Sequence, residues 1–474
     1  MYEYIIWLEI HIKLNSSNKL FCKCKNEQEF DDLSPNTHVC PVCTGQPWAL
    51  PVLNEEAFRK AALLGYALNC DVKNISSFDR KSYFYPDLPL WYQITQMERP
   101  TNLDGYVEFF TDNFSSENKI RIERAHIESD AWKTIHQSWK SIVDYNRAWT
   151  PLVEIVTYPD FENDDQVVEF LKELQRLVRF NNIWFADLEK WQMRCDVNIS
   201  TRKKWTSELW TKVELKNMNS YSAIKRAIEH EFERQVDLIE AWKEVDQETR
   251  GWDDDAGESY TMRSKEDSLD YRYFPEPDMP PVKVDDEYLS SIKEQKVESV
   301  FSRVKRYKEE YWFNKEYINA LIQNESVNNF FESALEKWAD YNLASKWIVT
   351  NILWSLENSD MSELKFSLDE FVKFINFINS GELIDSHAKQ VIKIMINEWW
   401  NVSDIIETHW FKPVDSSEIE AIVEEVINAN PQAVEDFRQW QWKAIWFLIG
   451  QVMQKSQGKA DPKMVKPMIE KILS

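Results

Sequence analysis

Glycine is nearly missing from this chain, at 8 of 474 residues, whereas ordinary composition of about 7% would supply roughly 33. Turns, helix ends and backbone approaches to ligands normally draw on that residue because it reaches positive φ without strain. Tryptophan is correspondingly abundant, with 22 residues. Several stand in small or polar settings, as in Ala131-Trp132-Lys133, Lys190-Trp191-Gln192, Lys204-Trp205-Thr206 and Ala241-Trp242-Lys243, which read as turns or exposed surface rather than core.

Long apolar runs are also absent. The longest, Ala444 to Gly450, is far too short to cross a bilayer. The start, Met1-Tyr2-Glu3-Tyr4, lacks the basic and apolar regions of a secretory leader, so the expected compartment is the cytosol. Six cysteines would make a poor disulfide framework for so long a chain. A net charge of −24 argues against coating nucleic acid through bulk electrostatics. Local recognition stays open, because residues 441–474 hold Lys443, Lys455, Lys459, Lys463, Lys466 and Lys471 against only Asp461 and Glu470. A solvated helical surface would give the same charge pattern.

What is present is patterned. In Leu8-Glu9-Ile10-His11-Ile12-Lys13-Leu14 strict alternation predicts a strand with Glu9, His11 and Lys13 on its polar face. Residues 120–128 read as a second strand with His126 and Glu128 on one side. Lys212 to Lys216 reads as a third, with Glu214 facing away from Val213 and Leu215. Helical spacing marks 164–180, after an Asn163-Asp164 cap, and 221–243. An acidic turn-rich stretch near 250 and the prolines 275, 277, 280 and 281 look like the exit of a domain. Beyond about 290 the pattern is helical, at 290–312, 314–338, 366–379 and 417–428. The expected fold is α+β, an N-terminal domain with a mainly antiparallel sheet and helices, followed by an all-α region. The expected divisions are 1–290, 291–405 and 406–474.

Cys22-Lys23-Cys24 and Cys40-Pro41-Val42-Cys43 form two close pairs across one loop, the spacing of a closed tetrahedral Zn²⁺ site. With all four positions filled by sulfur, such a site is structural. Cys70 and Cys195 read as core residues.

Glu9, His11, Glu128 and Glu214 each fall on the polar face of an expected strand, with Asp130 just beyond one of them. If those strands are neighbours, the side chains converge and suit Mg²⁺ bound alongside phosphates. The same alternation equally describes the solvated face of a half-exposed sheet. Neither a phosphate-cradling glycine loop nor a nucleophile elbow is visible.

The stretches IIWLEIHIKL, CPVCTGQPWALPVLN, DRKSYFYPDLPLWYQITQ, HIESDAWK, VDYNRAWTPLVEIV, RCDVNIS, TKVELKNMNS, ETRGWDDD, DYRYFPEPD and WFLIGQVMQKSQGKADPKMV occur in the order seen in one family. Over nearly its whole length the chain resembles the B subunit of bacterial aspartyl/glutamyl-tRNA amidotransferases. The resemblance implies a heterotrimer in the cytoplasm, completed by an amidase subunit and a small third subunit. It also implies that ATP and Mg²⁺ activate the side-chain carboxyl of Glu-tRNA(Gln), Asp-tRNA(Asn) or both as an acyl phosphate. Ammonia released by the amidase then displaces the phosphate.

On this resemblance Glu9, His11, Glu128 and Glu214 hold Mg²⁺, and Lys81 and Asp130 join them as catalytic residues. Tyr83, Tyr85, Asp87, Asn146 and Arg147 line the ATP cavity, Cys22, Cys24, Cys40 and Cys43 hold Zn²⁺, and the basic tail contacts tRNA. Ser129 stands where a second glutamate is common and Leu90 where a lysine is common. The competing expectation is a non-catalytic, zinc-stapled tRNA-binding scaffold.

Against the same motifs, Trp7, Trp48, Trp91, Trp132, Trp149, Trp191 and Trp210 occupy glycine positions. Trp242, Trp312, Trp410, Trp440 and Trp446 read the same way, whereas Trp252 and Trp347 match tryptophans of the family. Translation of UGA glycine codons as tryptophan would produce this pattern. It predicts that several of these tryptophans sit at positive φ or crowd the ATP cavity.

Overall fold

The alternation around Glu9 builds the middle strand of a nine-stranded sheet. Leu8, Ile10 and Ile12 of strand Tyr2–Lys13 are fully buried, each burial contributing about 1.5–3 kcal/mol, and the polar residues between them form the opposite face. The structure is a computed structural model that describes residues 2–27, 33–83, 88, 90–137, 139–205, 211–264, 271–357, 359–398, 401–409, 411, 416–438, 443–456, 460 and 462–473. It divides into two compact units, Met1–Lys305 and Arg306–Ser474.

In the first unit the strands run in the order 258–264, 248–253, 213–216, 193–203, 2–13, 151–157, 116–129, 102–111 and 71–72. Every neighbouring pair is antiparallel except 213–216 with 248–253. The helices Asp164–Phe180 and Tyr221–Glu240 supply the apolar cover. Asn163 caps the first by accepting from Gln166 N, and Ser220 caps the second by accepting from Ala223 N, each satisfying an otherwise orphaned amide. Their Val167, Leu171, Leu174, Ile224 and Ile228 join Leu8, Ile10, Val153 and Ile155 in one core. One sheet face is thereby dry, leaving the other to carry polar chemistry.

A small sheet of 79–82, 92–95 and 274–275 attaches beside that second face. Gln93 Nε2 donates to Ser129 O at 2.8 Å, and the buried Ser129 hydroxyl donates to Ile94 O at 3.3 Å. The serine thus fastens the two sheets together.

The second unit is helical. The expected helix at 314–338 is two, Lys315–Ile322 and Glu325–Glu336, because the Asn324 side chain turns to cap the second by accepting from Ser326 N at 2.8 Å. At the end of the first unit 290–312 likewise divides, into Asp286–Lys293 and a helix Val300–Glu309 that begins before the division at residue 305. The intervening Val297 N donates to Asn181 Oδ1 instead of continuing a helix. Helices Ser416–Ala429, Lys443–Lys455 and Pro462–Leu473 enclose their own core of Val423, Leu448, Val452, Val465 and Ile469. In this basic segment Lys455 pairs with Glu425, and Lys466 lies 3.9 Å from Glu470. The side chains of Lys443, Lys459 and Lys463 lie outside the described residues. Among the described residues no helix is long and apolar enough to cross a membrane.

Seven tryptophans, Trp48, Trp91, Trp149, Trp191, Trp242, Trp312 and Trp338, have φ between 55° and 67°. Six of these carried the glycine expectation. Trp338 did not, and Trp7, Trp132 and Trp446 show no positive φ. Trp210, Trp410 and Trp440 lie outside the described residues.

Candidate active site and cysteine cluster

Register sets the polar face. On three adjacent strands His126 pairs with Glu154 and Glu154 with His11, while His11 pairs on its other side with Arg194. One row of ionisable side chains therefore crosses four strands. His11 Nε2 lies 3.3 Å from Glu128 and 3.6 Å from Glu154, and His126 Nε2 lies 3.5 Å from Glu154. Burial disfavours the imidazolium at His11, but Glu128 and Glu154 outweigh it and raise its pKa to about 10. The Glu154 carboxyl is held well below the usual range, where burial is opposed chiefly by His126 and His11.

A second group lies two residues along the same strands. Glu9 pairs in register with Asp196, and Glu9, Asp196 and Glu214 can bring one oxygen each within 4.8 Å of one another. Burial raises the Glu9 carboxyl, and Glu154, Glu214 and Asp196 raise it further. Lys216 offsets part of this charge through Asp196 and, at 3.1 Å, Glu214. His11, Glu128 and Glu154 form a similar group. Oxygen-rich clusters with excess negative charge suit a hard divalent cation.

Both groups line one cavity of about 470 Å³. The four residues Glu9, His11, Glu128 and Glu214 are thus brought together, although they belong to two clusters. Lys81 and Tyr83 line the same space. Burial opposes the charge on Lys81, yet Glu128, Tyr273 and Glu154 raise its pKa overall, and its ammonium lies 4.9 Å from the Tyr271 ring centre.

Asp130 also reaches the cavity wall, but its carboxylate is engaged by Arg194 at 3.0 Å and Arg147 at 3.3 Å. Despite burial those arginines lower its pKa to about 2. A carboxylate so held is a poor proton acceptor.

Asn146 and Arg147 do not line the cavity. Arg147 Nε donates to Ala131 O at 2.9 Å as well as pairing with Asp130. Asn146 accepts from His38 N at 2.9 Å and donates to Ser34 O at 2.8 Å, which spends its side chain on the cysteine loop. Tyr85 and Asp87 lie outside the described residues. Neither Ser129 nor Leu90 lines the cavity, and no tryptophan does among its described lining residues.

Sequence reasoning missed Glu154, Asp196, Arg194 and Lys216. Glu154 had one visible signal, being the lone acid in the otherwise apolar run Pro151-Leu152-Val153-Glu154-Ile155-Val156.

The four cysteine sulfurs come together as their spacing predicted. Cys22, Cys40 and Cys24 lie 3.5, 3.8 and 3.9 Å from Cys43. Tetrahedral thiolates around Zn²⁺ with bonds of about 2.3 Å sit about 3.8 Å apart, so the donor set fits. The fully buried Lys19 places its ammonium 3.6 Å from Cys43 and donates to His38 O at 2.8 Å. Cys43 is lowered to about 5, first by its hydrogen bond with Cys22 and against burial, whereas burial raises Cys24 to about 12. Cys70 and Cys195 are buried apart from this group, as core residues.

The first unit thus carries a mainly antiparallel sheet with two acidic clusters on its polar face and a four-cysteine loop, and the second unit is helical. A family model described as the GatB/GatE catalytic domain matches residues 4–290, and one described as the GatB domain matches residues 329–473. Among curated proteins, the B subunit of the aspartyl/glutamyl-tRNA(Asn/Gln) amidotransferase of Agathobacter rectalis is 40% identical over 477 residues, covering 100% of this chain and 99% of that protein. The B subunit from Crocosphaera subtropica is 40% identical, covering 100% and 98%. One of Clostridium acetobutylicum, numbered 2, is 38% identical, covering 100% and 99%. The chain belongs to the GatB family, which supplies the B subunit of these tRNA amidotransferases.

Proposed function

We propose that this chain carries the carboxyl-activating step of a glutamine-dependent tRNA amidotransferase. ATP phosphorylates the side-chain carboxyl of Glu-tRNA(Gln), Asp-tRNA(Asn) or both, and ammonia from a partner amidase then displaces the phosphate. The observation that carries this reading is the convergence of two acidic clusters in one cavity, an arrangement that a scaffold merely holding tRNA has no use for. Glu9, His11, Glu128 and Glu214, joined by Glu154 and Asp196, would hold Mg²⁺. The ion's chemistry is to offset charge between ATP and an anionic acceptor.

Each nearby residue has a part in that environment. Binding a cation through His11 requires it to give up the proton that Glu128 and Glu154 retain on it. Lys81 and Arg194 supply fixed positive charge on the cavity wall for phosphate oxygens, and Tyr83 flanks that wall. Cys22, Cys24, Cys40 and Cys43 hold structural Zn²⁺. The amidase and a small third subunit complete a cytoplasmic heterotrimer, and the basic C-terminal segment contacts the tRNA.

Substitution Glu128→Gln in the reconstituted complex tests this. Loss of ATP-dependent amidation with tRNA binding retained supports the activating role. Unchanged amidation would instead favour the scaffold.

A further inference from the structure

Among the described residues, tryptophan is the commonest residue at positive φ. Seven tryptophans occupy this region against five asparagines, two aspartates and only three of the chain's own glycines. The region ordinarily belongs to glycine, with asparagine and aspartate as the usual exceptions, and a bulky aromatic there is a genuine outlier. Seven independent outliers of one residue type call for a common cause.

Hydrogen bonding shows what five of the seven positions demand. After helix Tyr221–Glu240, Trp242 N donates to Ile239 O at 3.1 Å and Lys243 N to Leu238 O at 2.9 Å. After helix Glu325–Glu336, Trp338 N donates to Leu335 O at 2.9 Å and Ala339 N to Ala334 O at 3.0 Å. This paired closure is the Schellman motif, whose left-handed residue is usually glycine. Trp191 makes the same pair, donating to Leu188 O at 3.1 Å while Gln192 N donates to Asp187 O at 2.9 Å. After helix Leu368–Asn379 the corresponding residue is Gly381, at φ 80°, donating to Ile378 O.

Two further tryptophans sit at the third position of tight turns. Ala49 N donates to Gln46 O around Trp48, and Thr150 N donates to Arg147 O around Trp149. Positive φ at that position is the requirement that selects glycine in a type II turn.

The side chains repeat the message. Trp48, Trp242, Trp338 and Trp312 are 98%, 96%, 91% and 82% exposed, so their indoles bury almost nothing. By contrast Trp347 is fully buried at φ −71°, with its ring 5.1 Å from Phe374, and buried Trp252 donates from Nε1 to Asp254. The chain therefore contains ordinary core tryptophans and a second set whose backbone is that of glycine, although Trp149 among them packs against Phe21 and donates from Nε1 to Val42 O at 3.0 Å.

We infer that Trp48, Trp91, Trp149, Trp191, Trp242, Trp312 and Trp338 are glycine in the protein as its own cell makes it. The route is the codon UGA, one base from the glycine codon GGA and one base from the tryptophan codon UGG. A cell that reads UGA as glycine, with its gene translated as though UGA meant tryptophan, gives this sequence. Trp149 is the one member that is buried, and it is included on its backbone.

Peptide mass spectrometry of the protein purified from its native cell tests the inference. Peptides containing positions 242, 312 and 338 should each be lighter by the difference between tryptophan and glycine, whereas the peptide containing position 347 should carry tryptophan. Intact tryptophan at 242 and 338, or UGG codons there, would overturn it. In the recombinant full chain Trp242→Gly and Trp338→Gly should each raise the melting temperature and Trp347→Gly lower it. A fall for the first two would count equally against the inference.

Discussion

Glu154 faces His11 directly across two adjacent antiparallel strands, its carboxylate 3.6 Å from the imidazole Nε2 and 3.5 Å from His126 on the other side. It links the two histidines and contributes an oxygen to the His11 and Glu128 cluster. Substitution Glu154→Gln keeps the shape and removes the charge. ATP-dependent amidation by the reconstituted complex should fall on the order of 100-fold, the scale seen when groups orienting a metal site are lost. In the metal-free chain, the pKa of His11 should drop from about 10, read from its imidazole resonances. A normal rate with a shifted histidine would separate the electrostatic relationship from any part in catalysis.

Asn146 tethers the cysteine loop rather than facing the cavity, through His38 N and Ser34 O. Asn146→Ala would leave both loop groups without these partners, at about 1–3 kcal/mol. The expected result is faster zinc loss to a chelating dye, and a lower melting temperature after chelation, with the metal-loaded protein still active. A zinc release rate equal to that of the unaltered chain would refute this role.

How much of this was legible in the sequence depended on locality. The strand of Glu9 and His11 could be read because one of its faces is apolar and the other polar, so period two is visible in a few residues. Strand Pro151–Thr157 is buried along its whole length, hence Glu154 had no alternation to mark it. Asp196 and Arg194 became partners of Glu9 and His11 only through strand register, a non-local property that spacing does not encode. The helical stretches beyond residue 285 failed differently. Asn324 and Val297 break helical patterns that are otherwise continuous, because a local side-chain cap or a distant acceptor outcompetes another helical turn. For Asn146 the resemblance supplied a motif but not the direction of its side chain, which turns to His38 N and Ser34 O.

Ser129, which the resemblance sets against a glutamate, donates its hydroxyl to Ile94 O and lies off the cavity wall. Ser129→Ala should therefore cost about 1 kcal/mol of stability and leave the rate of amidation unchanged. Thermal melts beside steady-state assays separate the two effects. A large loss of rate without loss of stability would show that the position still serves the chemistry.

Asp130 gives the clearest dependence on acidity. Its pKa falls from 3.8 to about 2 because Arg147 and Arg194 hold the ionised form against burial. A carboxylate whose folded pKa is depressed contributes stability that is complete above its unfolded value and disappears as pH falls through the folded one. The contribution, about 2 kcal/mol, is accordingly present above pH 3.8 and lost on descending towards pH 2. Asp130→Asn abolishes this titration and leaves the partly exposed guanidinium groups of Arg147 and Arg194 without their shared carboxylate, a change that costs about 2 kcal/mol at neutral pH. Denaturant melts of the two proteins should consequently differ most near neutrality and converge as the pH is lowered through that window. A constant difference across the window would mean that Asp130 is not ionised in the folded chain.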